Sequence, residues 1–395
     1  MANLETTVNM SLIVPRRVLA FAVLALLQLG LGYTRTSATA DGSSVATRPK
    51  NHGYRDVVQR IIKDGIEKWP NFRTIAAYNH VVTQLPPALG QHMLETATAV
   101  DGALVASDAF VRAATDHARL GGGPVVPLRG MRVPTTLWRY IRVYADLRNL
   151  FGAESDFDTN VAEVGVGYGA QCDVVQRLGA MLAPSGASAH TRMYTLCDLP
   201  EVEELAEQYL RAIRGSSATD LPALGKLNSN PNSTNSCAST SGNYSLFISN
   251  YAFSELNSDV QQIYWDQVIR CSRRGYVTMN AFNGISSLEF VAKLRASGKH
   301  DATVMDSYPG QCRAQNVNTA VVVWGATADR VDSVEKAALS TPGLQRRQAQ
   351  MEQRCIQFHR RACATSKGRK SPGGKTACDY GARMTARQWR DHDPR

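Results

Sequence analysis

Residues 159–198 read TNVAEVGVGYGAQCDVVQRLGAMLAPSGASAHTRMYTLCD, and this stretch decides the fold. It opens with a short apolar run carrying one acid, Glu163, and passes into a turn with glycines at Gly165, Gly167 and Gly169. The amphipathic pattern Cys172–Leu182 predicts a helix behind the turn, and a second apolar run, Met193–Cys197, stops on Asp198. Strand, glycine turn, helix, strand and acid make a βαβ unit with a ligand at its strand ends. Glycine lets the backbone approach a ligand where a Cβ would clash. The helix start directs unpaired N–H groups at that ligand. An acid closing the second strand can accept the hydroxyls of an adenosine ribose, and Asp198 occupies that place.

Two cofactors use such a frame. Gly165-Val166-Gly167-Tyr168-Gly169-Ala170 satisfies the GxGxxG/A pattern of dinucleotide binding. Glu163, two residues upstream, argues otherwise, because a carboxylate there suits a cationic methionine amino group and repels a pyrophosphate. Glu163-x-Gly165-x-Gly167-x-Gly169 resembles the first motif of class I S-adenosylmethionine (SAM) methyltransferases. NAD at the same glycines, and a glycine turn with no ligand, are the alternatives. The acid spacing of dinucleotide folds, ~20 residues, is exceeded here, and the polar loop 184–191 absorbs the excess.

Working outward, the 395-residue chain has room for two or three domains, and 44% hydrophobic residues suffice for a sizeable core. Its formal charge of +10 is uneven: residues 331–395 hold 14 Lys/Arg against 6 Asp/Glu, or +8 of the total. The rest is nearly neutral, so nucleic acid is not expected as a partner of the folded body. The organisation expected is a targeting segment and linker over 1–50, a helical cap over 51–150, a cofactor domain over 151–330 and a basic, largely disordered tail over 331–395.

In the first segment, Pro15-Arg16-Arg17 precede the apolar run 18–33, and Ala38-Thr39-Ala40 offers a small-residue cleavage site. The run is short for a membrane span, so a cleaved signal peptide and a signal anchor through residues 18–33 are both compatible. Either leads into the secretory pathway, with the body on the lumenal side. The Arg and Ser/Thr content also allows an organellar transit peptide. In the cap region, Val57, Ile61, Ile62 and Ile66 form one helical stripe, and Leu89–Ala114 gives a longer pattern. Gly121-Gly-Gly-Pro124 breaks it before a further helix from Pro134 to Phe151.

Beyond Asp198 the chain gives a helix over Glu203–Ile213 and an Asn/Ser-rich loop, 215–243, with glycosylation sequons at Asn232 and Asn243. The apolar strand 246–248 then runs to Asn250 and Tyr251, with Glu255 close behind and a helix over Ser258–Ile269. Ligands of open α/β sheets lie at the carboxyl ends of strands, which makes Asn250, Tyr251 and Glu255 the candidate catalytic residues. Glu255 is the candidate general base, since methyl transfer to a hydroxyl needs its proton removed; the competing role is a helix-start carboxylate. Asn250 can orient a hydroxyl or the methionine end of SAM. The strand 275–280, a helix over Ser286–Ala296 and a strand 319–324, expected at the sheet edge, complete an α/β doubly wound fold.

Three segments taken together, Glu163–Cys172, Tyr194–Val202 and Ile248–Leu256, resemble the sugar O-methyltransferase family, and Pro134-Thr-Thr-Leu-Trp-Arg-Tyr140 resembles its upstream motif. Val166 and Ala170 stand where that family's pattern has glycine. The resemblance implies a class I methyltransferase Rossmann-like sheet, SAM as cofactor, and a sugar or glycan hydroxyl as acceptor. It implies SAM contacts from Glu163, Gly165, Gly167, Tyr168, Gly169, Gln171, Asp198 and Asn250. A nicotinamide-dependent oxidoreductase, and a non-catalytic carbohydrate-binding protein on the same fold, are the other function classes. Neither the eight histidines nor the eight cysteines show ligand spacing, so no metal is assigned. Cys172 and Cys197 are expected buried and reduced.

Overall fold

In the computed structural model, residues 52–82, 85–152, 159–182, 193–215, 223–226, 244–279, 285–305 and 320–341 are described. The apolar run 18–33, both sequons and residues 342–395 of the basic tail lie outside them. Among the described residues no helix is long and apolar enough to cross a membrane.

The first strands, β1 (Val125–Leu128) and β2 (Met131–Pro134), form an antiparallel hairpin. Seven more make the main sheet: β3 (Asn160–Val164), β4 (Met193–Cys197), β5 (Ala223–Lys226), β6 (Leu246–Asn250), β7 (Arg274–Met279), β8 (Thr303–Met305) and β9 (Ala320–Trp324). Their order is β5-β4-β3-β6-β7-β9-β8. The five strands from β5 to β7 run parallel, while β9 is antiparallel to both β7 and β8. The sheet is therefore mixed but mainly parallel, with helices on both faces.

Alternation along each strand fills two cores. Val161, Leu246, Ile248, Val321 and Val323 face a large core shared with the cap helices and with the helices Ala170–Leu182 and Pro200–Arg214. Ala162, Val164, Phe247, Val277, Val322 and Trp324 face a smaller one, closed by Trp265, Val268, Phe290 and Leu294. Strands buried on both faces carry little polar sequence.

The same rule corrects the expected edge position of the terminal strand. Every residue of β9 is buried, so it sits between β7 and β8, and the three-residue β8 takes the edge. A short edge strand offers little unpaired backbone to other chains. Gly275 in β7 makes room for this arrangement, since a Cβ there would collide with the Trp324 ring.

The region expected to form the cap holds the helices His52–Asp64, Ala76–Val81, Pro87–Val100, Gly102–Ala106, Asp108–Arg119 and Thr135–Phe151. Asp101 and Ser107 each accept the N–H three residues on, dividing the expected Leu89–Ala114 pattern into separate helices. Pro87–Val100 lies close on Thr135–Phe151, where a Cβ at Gly90 would stand 2.7 Å from Thr135 Cγ2. At the other end, a helix Ala328–Leu339 crosses the boundary expected at 330/331 and buries Val331, Val334 and Ala338.

Candidate active site

The glycine turn leaves β3 with Gly165 at φ 82°, Gly167 at 55° and Gly169 at 83°, conformations that side-chain-bearing residues rarely adopt. Gly165 also has no room for a side chain, because a Cβ would collide with that of Ala252, just past β6. The Gly165 N–H donates to the Cys197 carbonyl at 3.0 Å, tying the turn to the end of β4. These two positions explain why the motif needs glycine: one backbone is pinned between the ends of two neighbouring strands.

Glu163 lies one residue before the end of β3, 1% exposed. The Tyr194 hydroxyl donates to its Oε2 at 2.8 Å. Burial pushes its pKa up to about 8; the Tyr194 bond opposes this and the nearby Asp198 charge adds to it. At neutral pH it is therefore mainly protonated unless a cation arrives.

Asp198 closes β4 as expected. Its Oδ1 accepts the Leu199 N–H at 2.8 Å and its Oδ2 the Gly167 N–H at 3.4 Å. Burial raises its pKa to about 6, against the pull of these backbone donors. The acid thus holds the glycine turn itself, and a bound ribose would share the carboxylate with the turn.

Asn250 and Gln171 meet, with Asn250 Nδ2 donating to Gln171 Oε1 at 3.2 Å and Gln171 Nε2 to the Tyr140 carbonyl at 3.4 Å. Gln171 is fully enclosed and fixes Asn250 from behind. Asn250 Oδ1 is buried with no hydrogen-bond partner among the described residues. Its neighbour Tyr251 has φ 75°, a strained backbone for a tyrosine at the carboxyl end of a central strand. Glu255 ends the short helix Ala252–Glu255 and is exposed.

Tyr168 departs from the expected role. Its side chain is fully buried, edge-on to Tyr209 at 4.9 Å, and its hydroxyl accepts from Arg73 Nη1 at 3.0 Å. The ring belongs to the interface between cap and sheet, leaving only its backbone in the turn. Cys172 and Cys197 are free and buried, as expected.

Sequence reading missed three participants. Arg73, completely buried in the cap, stacks on Tyr168 at 5.1 Å and donates to the Leu120 carbonyl at 3.0 Å. The glycine break lets the chain wrap it, since a Cβ at Gly121 would strike the guanidinium. Arg139, on the helix Thr135–Phe151, lies 5.2 Å over the Tyr251 ring. Tyr194 caps Glu163. Arg139 and Tyr194 fall within the segments Pro134–Tyr140 and Tyr194–Val202, which marked their positions but not their contacts. A cavity of about 550 Å³ elsewhere, lined by Gly65, Lys68, Gln208 and Arg211 among others, includes none of these residues.

No family model and no curated protein matches the chain. Among solved structures it is similar to Thermoplasma acidophilum 1320, at 15% identity and a TM-score of 0.28 over 49% of this chain and 88% of that one. It is also similar to "a putative RNA methyltransferase" from Pyrococcus horikoshii, at 12% identity and a TM-score of 0.29 over 51% of this chain and 91% of that one. Likenesses this weak assign nothing to the chain, whose own residues carry the functional reading.

Proposed function

We propose that this chain is a SAM-dependent O-methyltransferase whose acceptor is a hydroxyl of a sugar or glycan. The observation that carries the reading is Glu163, a carboxylate enclosed beside a glycine turn with, among the described residues, a single hydroxyl for a partner. It is a poor neighbour for a pyrophosphate and a good one for an ammonium group. The sheet supports the same choice, since the order 3-2-1-4-5-6 of dinucleotide folds has no reversed strand inserted like β9.

The residues present fit the cofactor's parts. Glu163 would receive the methionine ammonium, Asp198 the ribose hydroxyls, and the unpaired Asn250 Oδ1 a remaining donor of the cofactor or the acceptor. When bound, SAM supplies an electrophilic methyl group. Asn250, held by Gln171, orients the incoming hydroxyl, and exposed Glu255 takes its proton. Cap residues fence the turn: Val82 approaches Gly167, and Arg55 pairs with Glu201 beside Asp198.

The sugar acceptor rests on the resemblance of Ile248–Leu256 and its companion segments. The secretory route is proposed with it, supported by the N-terminal run and by a disulfide at Cys271. Calorimetry of the full chain with SAM, S-adenosylhomocysteine and NAD tests the cofactor. Binding of both adenosyl ligands without NAD is expected, and binding of NAD alone would overturn the reading. Once an acceptor is in hand, Glu255→Gln should lower kcat by roughly 100-fold or more with SAM affinity kept. Full activity would remove Glu255 as the base.

A further inference from the structure

The helix Thr135–Phe151 carries three arginines in different electrostatic situations. Arg142 is paired with Asp146 at 2.7 Å, and Arg148 with Asp101 at 2.8 Å. Arg139 has no carboxylate partner among the described residues. Its guanidinium lies over the Tyr251 ring, and its Nε is enclosed with no hydrogen-bond partner among those residues. Enclosing a charged donor without an acceptor is costly, and Arg142 and Arg148 each have one, from Asp146 on the same helix and from Asp101 outside it.

Its position gives the missing acceptor a place. The next residue, Tyr140, offers the carbonyl that holds Gln171, and Gln171 holds Asn250, whose Oδ1 is likewise unpartnered. Arg139 and Asn250 thus stand on adjacent links at the carboxyl end of β6, one lacking an acceptor and the other a donor. Tyr251 presents its ring to the guanidinium from a strained backbone. We infer that Arg139 is the carboxylate-receiving group of this site, its planar fork meeting a carboxylate while the Tyr251 ring supports its face. One guanidinium matches a single negative charge.

Two carboxylates could serve: the methionine end of the methyl donor or an acidic sugar acceptor. The first source, unlike the Arg139 assignment itself, depends on the methyltransferase reading. Calorimetric titrations of the full-length wild type, Arg139→Gln and Arg139→Lys separate the two. The probes are S-adenosylhomocysteine, 5′-methylthioadenosine, which lacks the amino-acid end, and oligogalacturonate beside its neutral methyl ester.

If the donor supplies the carboxylate, Arg139→Gln weakens S-adenosylhomocysteine by about 10- to 100-fold and leaves methylthioadenosine unchanged. If the acceptor supplies it, only oligogalacturonate weakens, by a similar factor, and its ester is indifferent. Arg139→Lys, which keeps the charge and loses the fork, should fall between. Affinities equal in all three proteins for every probe would overturn the inference. Should the wild type bind neither adenosyl ligand, the methyltransferase reading falls, and oligogalacturonate against its ester still tests Arg139. Thermal melting of each variant checks folding, and if Arg139→Gln fails to fold, undiminished affinity in Arg139→Lys overturns the fork.

Discussion

Two polar clusters touch the helix behind the glycine turn, and they are completed in opposite ways. Asp173, on its inner side, is fully buried and meets His117 at 2.9 Å, Arg214 at 2.7 Å and Arg177 at 3.3 Å. His117 donates from Nε2 to that carboxylate, and its Nδ1 accepts the Tyr209 hydroxyl at 2.7 Å. Although burial opposes it, the His117 bond and the Arg214 charge hold Asp173 below the ordinary carboxylate range. At the strand ends, among the described residues, Glu163 has one hydroxyl, and Asn250 Oδ1 and Arg139 Nε have no hydrogen-bond partner. The first cluster answers its charges from within the chain. The second leaves an acid, a base and an amide oxygen for a ligand that carries their complements.

The sharpest way to break this contrast is to remove the centre of the closed cluster. Asp173→Ala strands two arginines and a histidine between cap and sheet, and should cost about 3–5 kcal/mol of stability. Denaturant unfolding followed by circular dichroism measures it. A loss below 1 kcal/mol, order of magnitude, would mean the cluster is not the lock described.

Next in size is Gly165→Ala, which adds a Cβ into Ala252 at a φ of 82°. Overpacking of this kind costs about 1–3 kcal/mol, and here it also pushes β3 and β6 apart where the proposed ligand contacts converge. S-adenosylhomocysteine affinity should fall further than stability does. Parallel melting and calorimetry would expose the reverse order, and with it a purely structural turn.

How far this was legible follows the range of each interaction. Glu163, the glycines and Asp198 lie in one βαβ unit, so local pattern sufficed to place them at adjoining strand ends. The position of β9 depends on pairing with β7 and β8, yet its sequence Ala-Val-Val-Val-Trp already lacked the polar face of an edge strand. The spacing of Val331, Val334 and Ala338 was likewise helical, and the charge count of the tail obscured it. Arg73 carried no signal and Arg139 only its place in the motif Pro134–Tyr140, because an arginine's worth lies in what faces it. Arg73 faces Tyr168 across 95 positions, and Arg139 faces Tyr251 from another helix. Tyr168 was misplaced for the same reason, its neighbours in sequence being the turn and its neighbours in space the cap.

A smaller effect sharpens the open cluster through pH. Glu163 in the free protein titrates at about 8 against an ordinary 4.5, so the folded form holds a proton that the unfolded chain has lost. Its contribution to stability is full below 4.5 and is lost as pH rises through about 8. Relative to Glu163→Gln, the wild type should therefore lose stability over that window, which melts across pH report. An ammonium ligand prefers the carboxylate, so SAM binding expels the proton and affinity rises with pH by up to about tenfold per unit between 6 and 7. Calorimetry in buffers of different ionisation enthalpy counts the proton. No release by the wild type would separate Glu163 from the ammonium.

The smallest effect on stability, and the cleanest separation of the two clusters, comes from Tyr251→Gly. Its φ of 75° suits glycine, so relief of strain should offset much of the lost ring packing and leave stability within about 1 kcal/mol. The same change removes the face on which Arg139 rests. A fork freed from its support samples more orientations and must be ordered anew on each binding event. Carboxylate affinity should drop by roughly three- to tenfold while methylthioadenosine is unaffected, at about 1 kcal/mol per stacked cation. Melting and titration of the one variant then read the two clusters separately: unchanged melting reports that the closed one is intact, and the selective loss reports on the open one. If melting collapses while carboxylate affinity holds in the folded fraction, the Tyr251 conformation belongs to the scaffold and the ring is not part of the site.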